Sequence, residues 1–143
     1  MTSGCYFEDL TIGQTVSRAH VVTDADIRAF ADLSGDHNPV HLDETFAAST
    51  PFKGRIAHGM LSGAYISALI ASDLPGPGTI YLSQSLNFRR PVKIDDPLEV
   101  HITVTSLDPD KARVSLSTVC TVNGKTVVEG EATVMAPRRP AAS

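Results

Sequence analysis

Residues Gly59 to Ser72, GMLSGAYISALIAS, run fourteen positions without a charged side chain. A stretch this apolar has to be covered, so it decides what the remaining residues must build. It is shorter than the roughly 20 residues of a membrane-spanning helix and falls in the range of a buried core helix. The spacing predicts a helix from His58 to Leu74, about 25 Å long at 1.5 Å per residue. Met60, Leu61, Ala64, Tyr65, Ala68 and Leu69 line one side, and Ile66, Ile70 and Ala71 fill much of the rest. A helix apolar nearly all round is expected to be enclosed. Gly59, Ser62, Gly63, Ala64 and Ser67 are small enough for neighbouring backbone to come close.

The residues that follow supply the cover. Pro75-Gly76-Pro77-Gly78 stops the helix, and the apolar period then changes from 3.6 to 2. Ile80, Leu82, Leu86 and Phe88 alternate inward over residues 79–90. Leu98, Val100, Ile102 and Val104 follow, then Val114, Leu116, Cys120 and Val122, then Val128, Ala132 and Val134. Asp108-Pro109-Asp110 and Asn123-Gly124 sit between runs, and Asn-Gly is the strongest short hairpin signal. The expected fold is α+β, an antiparallel sheet of four or five strands curved around one long helix. A single wrap of this kind leaves sheet edges open, which invites a homodimer.

Upstream, Val16–Thr23 alternates as a strand. Thr23-Asp24-Ala25-Asp26 has the form of a capping box, and Ile27, Phe30 and Ala31 then mark one helical stripe. That helix should stop by Gly35. Pro39 disfavours helical angles at Asn38, so Gly35 to His41 is expected to be a compact turn. A short helix from about Asp43 to Ala48 and a loop over 50–55 come next. The 143 residues make one domain, with residues 1–5 and 137–143 read as loose ends. A net charge of −4 gives no sign of nucleic-acid binding or of a basic membrane patch. Cys5 and Cys120 suit isolated thiols in a reducing compartment. MTSGCYFEDL lacks the layout of a signal peptide, so the cytoplasm is the expected location.

The chemistry-bearing stretch is FADLSGDHNPVH, Phe30 to His41. Asp36 and His41 stand five positions apart around a sharp turn. A carboxylate and an imidazole can hold a water between them and move its proton near neutral pH. The same aspartate can instead serve the hydrogen bonds of the turn, and spacing leaves both readings open. His37 and His41 have zinc-site spacing only on a helix, which Pro39 interrupts, so no metal is expected. At His58-Gly59, free N–H groups and the helix dipole can bind a carbonyl oxygen that becomes negative. His58 itself reads as structural, and His20 and His101 as ordinary strand residues. Arg89, Arg90 and Lys93 around Pro91 are either solvated surface or contacts for ligand phosphates. There is no glycine-rich phosphate loop, no G-x-S-x-G and no Cys/His pair.

Phe30 to Ala47, FADLSGDHNPVHLDETFA, closely resembles the signature of the R-specific enoyl-CoA hydratases, the MaoC-like branch of the hot-dog fold. Phe7-Glu8-Asp9-Leu10 with Gly13-Gln14, Ile56 to Leu61, and Tyr81 to Phe88 with Pro91-Val92 extend the likeness over nearly the whole chain. The resemblance implies one hot-dog unit that works as a homodimer, without cofactor or metal. The implied reaction is syn hydration of a trans-2-enoyl-CoA to the (R)-3-hydroxyacyl-CoA, and its reverse. Asp36 and His41 match the catalytic pair that binds the reacting water, and Gly59 matches the backbone N–H that polarises the thioester carbonyl. Ser67 matches a serine near the centre and the acyl pocket, and Ile70 a position affecting chain length. Tyr65 is expected beside them, with Asn38 and Arg89 as further substrate contacts. The alternatives are an acyl-CoA thioesterase, a dehydratase acting on acyl carrier protein, and a non-catalytic acyl-binding unit.

Overall fold

Thr23 sets where the first helix begins. Its hydroxyl accepts from the Asp26 N–H and the Asp26 carboxylate accepts from the Thr23 N–H, both at 3.1 Å, closing the capping box. Helix α1 (Asp24–Ser34) ends at Gly35, which takes a left-handed φ of +82°. The computed structural model, which describes residues 4–141, then shows a helical turn where a compact turn was expected. This is α2 (Pro39–Leu42), capped by Asn38 Oδ1 accepting from the Val40 N–H at 3.2 Å. A proline at the first helical position loses no hydrogen bond and already has a helical φ. Pro39 therefore ends one helix and starts another. Helix α3 (Glu44–Ala48) follows, and the long helix α4 is Gly59–Ser72 with His58 at its N-cap.

The strands are β1 (Thr15–Val21), β2 (Ile80–Gln84), β3 (Asn87–Phe88), β4 (Pro97–Asp108), β5 (Arg113–Val122) and β6 (Lys125–Met135). They form one antiparallel six-stranded sheet in the order β1-β4-β5-β6-β2, with β3 also paired to β6. The expected run over 79–90 is thus two short strands. The pairing slips between Tyr81 and Ser83, and the chain passes across β6 at Gly130. A Cβ at Gly130 would lie 1.8 Å from the Ser85 carbonyl oxygen, so only glycine allows this crossing. At the β5–β6 hairpin Asn123 and Gly124 both take positive φ, 51° and 79°, and Val122 faces Lys125 across the turn.

Leu98, Val100, Ile102, Val104, Val114, Leu116, Cys120, Ala132 and Val134 turn one face of the sheet into core, packed with Leu61, Ile66, Leu69 and Ile70 of α4. Full burial of each large side chain contributes roughly 1.5–3 kcal/mol. Thr118, fully buried in the same stripe, has its hydroxyl satisfied by the Gln84 Nε2–H at 2.9 Å. The result is the hot-dog arrangement, a curved sheet around one helix.

Two expectations about burial are corrected. Helix α4 is not enclosed all round: Met60 is 58% exposed, and Ala64, Ala68 and Ala71 are also exposed. Ile80, Leu82 and Phe88, expected inward, are 55%, 42% and 54% exposed. One sheet covers one side of a helix, and β2 and β3 lie at the sheet's end. Alternation separates two faces of a strand without saying which of them finds a partner.

The expected loose ends fall partly on residues 1–3 and 142–143, outside the described residues. The neighbouring residues are anchored. The Cys5 N–H donates to the Pro75 carbonyl at 2.6 Å, and the Phe7 N–H to the Pro137 carbonyl at 2.8 Å. The Arg138 guanidinium lies over the Phe7 ring at 5.5 Å, and the Arg139 N–H donates to Glu8 at 2.6 Å. Among the described residues no helix is long and apolar enough to cross a membrane.

Candidate active site

The turn after α1 presents Asp36. Its N–H donates to the Ser34 hydroxyl at 3.1 Å, and its Oδ1 accepts from the Asn38 N–H at 3.2 Å. The carboxylate therefore does brace the turn. It also reaches a cluster in which one carboxylate oxygen of Asp36, one ring nitrogen of His41 and one of His58 all lie within 4.8 Å of one another. The turn-bracing reading of Asp36 holds in the geometry, and the carboxylate also lies close to His41.

His41 sits on the single turn of α2 with its ring buried. Its Nδ1–H donates to the Ile56 carbonyl at 2.7 Å, which leaves the lone pair on Nε2. Burial pushes the imidazole below its usual 6.5; the Ile56 hydrogen bond opposes this, His58 adds to it and the Asp36 charge opposes it. The backbone is held as well. Arg55 Nε donates to the His41 carbonyl at 2.7 Å, and its Nη2 to Asp24 Oδ1 at 2.5 Å. Arg55, followed by Arg28, holds the Asp24 carboxyl below the usual carboxylate range.

Helix α4 begins beside this pair without a side-chain cap. Among the described residues the Gly59 and Met60 N–H groups have no hydrogen-bond partner, so both are free donors at a positive helix end. The Phe88 ring lies so close over Gly59 that a Cβ there would stand 2.6 Å from it. His58 turns its ring away from its own helix. Its Nε2–H donates to the Asp36 carbonyl at 3.0 Å, and its ring lies 3.9 Å from that of His41 and 4.9 Å from that of Phe30.

His41, His58 and Gly59 line a cavity of about 420 Å³, with mostly apolar walls from Phe52, Ile56, Ala57, Met60, Phe88, Pro91, Val92 and Val128. Arg89 and Arg90 also line it. Arg89 pairs with Glu129 at 2.8 Å, and Arg90 donates to the Thr126 carbonyl at 3.0 Å.

The structure therefore brings Asp36 beside His41 and His58, and it sets His41, Gly59 and Arg89 along the cavity, which Asp36 does not line. Asn38 spends its side-chain oxygen capping α2. Tyr65 stacks on His20 at 4.5 Å, and burial, with the Asp26 charge and hydrogen bond, pushes its hydroxyl up to about 12. Ser67 is half-buried and Ile70 fully buried, about 12 and 16 Å along α4 from Gly59 at 1.5 Å per residue. None of these four lines the cavity of the single chain. Sequence reasoning passed over Arg55 and took His58 for a structural residue. The available signal for His58 was its position, a histidine where Ser, Thr, Asp or Asn normally caps a helix. As a metal site the cluster is poorly shaped. A ring nitrogen binds an ion in the plane of its ring, and two rings stacked at 3.9 Å and 30° do not aim at one point.

The profile of the MaoC-like domain family matches residues 9–131. The chain is 54% identical to the (R)-specific enoyl-CoA hydratase of Rhodospirillum rubrum, over 94% of this chain and 93% of that one. It is 46% identical to the 3-hydroxybutyryl-CoA dehydratase of Methylorubrum extorquens, over 94% of this chain and 85% of that one. Among solved structures, the unliganded R-hydratase PhaJ1 of Pseudomonas aeruginosa superposes with a TM-score of 0.90 at 49% identity, covering 98% of this chain and 93% of that one. With a family profile spanning most of its length and relatives this similar across nearly all of it, the chain belongs to the MaoC-like domain family.

Proposed function

We propose that this chain is an (R)-specific enoyl-CoA hydratase, adding water to trans-2-enoyl-CoA to give (R)-3-hydroxyacyl-CoA and catalysing the reverse dehydration. The observation that carries this reading is the Asp36–His41 pair beside the uncapped start of α4, with His41 and Gly59 lining an apolar cavity.

Hydration of an enoyl thioester needs a base for the water, an acid for C2 and a site for enolate-like charge on the thioester oxygen. Asp36 and His41 supply the first two as a coupled unit. His41 is suited to take a proton on Nε2, since Ile56 holds its other nitrogen. The Gly59 N–H supplies the third, and one such donor is worth roughly 3–4 kcal/mol of barrier. The apolar walls hold the acyl chain away from bulk water, and Arg89 and Arg90 meet the phosphates of CoA. Both proton transfers and the charge stabilisation come from the chain's own groups. The protein works as a homodimer in this reading, a second copy covering Met60, Ala64, Ala68 and Ala71 together with Ile80 and Leu82. A tunnel completed by that copy leads longer acyl chains towards Ser67, Ile70 and Tyr65. Two unbridged cysteines suit the cytoplasm.

Incubation with crotonyl-CoA tests the reaction. Loss of the enoyl absorbance without free thiol is the expected result. Release of free thiol identifies a thioesterase instead, and activity confined to acyl carrier protein substrates identifies a carrier-dependent dehydratase. A pH–rate profile follows from the His41 environment. The base form of His41 is the working one and its pKa is depressed, so kcat/KM holds below pH 6.5 and falls only as the pH passes through the lowered value. An acid limb above pH 6.5 contradicts this assignment.

A further inference from the structure

We infer that His58 is a positioning residue for the hydration step: it gives up the capping of its own helix in order to hold the Asp36 backbone and the His41 ring. The inference rests on the hydratase reading and concerns a residue that reading does not use.

His58 is 2% exposed and stands at the N-cap of α4. A side chain there ordinarily accepts a hydrogen bond from the second or third N–H of the helix. The His58 ring does not, and its Nδ1 is buried with no partner. An unmatched buried nitrogen costs free energy, so the orientation is maintained by the ring's other contacts. Those contacts reach both members of the acid–base pair. Nε2–H donates to the carbonyl of Asp36, 22 residues earlier, and the ring face lies against His41. Phe30 of α1 packs against the same ring at 4.9 Å. The hydrogen bond places a proton on Nε2, because a carbonyl oxygen can only accept. Burial first, and then the neighbouring His58, hold the His41 imidazole below its usual 6.5. The groups that face His41 are the His58 ring and the Asp36 carboxylate, with the Arg55 guanidinium on its carbonyl. Because the ring points at Asp36, the Met60 N–H, second in the helix and within reach of a capping side chain, stays open beside that of Gly59. One side chain thus sets three things: where Asp36 sits, how readily His41 takes a proton, and whether the helix start is vacant.

The test is a pair of variants differing by one methylene. In His58→Gln the amide nitrogen reaches about as far as Nε2 and can donate to Asp36. In His58→Asn it cannot, and the shorter side chain caps α4 instead, occupying the Met60 N–H beside the Gly59 donor. With crotonyl-CoA, His58→Gln is expected to keep kcat within about 3-fold of wild type, while His58→Asn loses about 10- to 100-fold. KM should change little, and the melting temperature of His58→Asn should not fall below that of His58→Gln, since its cap offsets the lost contacts. A merely structural histidine predicts the reverse, activity following stability. NMR titration of His41 adds a readout independent of turnover: its inflection moves up in pH in His58→Gln, where no second imidazole competes for charge. Wild-type kcat in His58→Asn, or equal losses in both variants, overturns the inference. If His58→Asn does not fold, an unmoved His41 titration in His58→Gln overturns it and an upward shift supports it. A wild-type protein that fails to hydrate crotonyl-CoA defeats the hydratase reading instead, which keeps the two failures distinct.

Discussion

Asp36→Asn and His41→Ala each lower kcat by at least about 100-fold, with a folded protein in both cases. The asparagine keeps the size of the carboxylate and one oxygen to accept from the Asn38 N–H, so the turn survives. What it removes is the charge and the second basic oxygen beside His41. His41→Ala deletes the imidazole and leaves the Ile56 carbonyl without its donor, costing about 1–3 kcal/mol of stability in addition. The double variant should be little worse than the more damaging single one, because groups that share one water act as a unit and their losses do not add. Steady-state kinetics on crotonyl-CoA, run beside thermal melts, separates the chemical loss from the structural one. Turnover near the wild-type value in either single variant removes the acid–base pair from the mechanism.

Gly130→Ala is expected to be the most destabilising small substitution in the sheet. The new Cβ would lie 1.8 Å from the Ser85 carbonyl oxygen and 2.6 Å from its carbon. Both are backbone atoms, and no rotamer change moves them. Ser85 is also tied to β6, its N–H donating to the Glu131 carbonyl at 2.9 Å and its Oγ accepting from the Glu131 N–H at 3.0 Å. Either β6 bends or this crossing lifts away. Overpacking usually costs 1–3 kcal/mol, and a backbone clash belongs at or above the top of that range. A loss of about 3 kcal/mol lowers the melting temperature by roughly 10 °C in a domain of this size. Activity should fall as well, because β3 follows Ser85 and carries Phe88, which lies over Gly59. A melting temperature within about 2 °C of wild type would mean that the chain does not pass this close to β6.

Gly130 also shows where legibility in the sequence ended. As a residue it is one glycine in a strand pattern, and its role depends on Ser85, 45 positions earlier, arriving at the same place. Arg55 is similar. It reads as part of a loop, yet it joins the His41 carbonyl to Asp24, 31 residues away. His58 was legible as a helix start and not as the neighbour of Asp36. Ile80, Leu82 and Phe88 were recognised as one face of a strand, and only the finished sheet shows that face uncovered. In each case the deciding partner is far along the chain, and no local rule names it.

Where the partner lies within a few residues, the sequence by itself determined the outcome. Thr23 and Asp26 close their capping box, Gly35 ends α1, and Asn123-Gly124 turns the last hairpin. Short-range sterics and hydrogen bonding suffice there, because few conformations satisfy them. The uncharged run from Gly59 to Ser72 required a helix and a sheet to cover it, and Pro39 kept α1 from running on through Asp36 to His41. Tertiary structure alone decided which side of that long helix is covered, and it set His58 against His41 while leaving the Gly59 N–H open. Those choices come from packing surfaces distant in sequence, where the burial of one side chain depends on all the others.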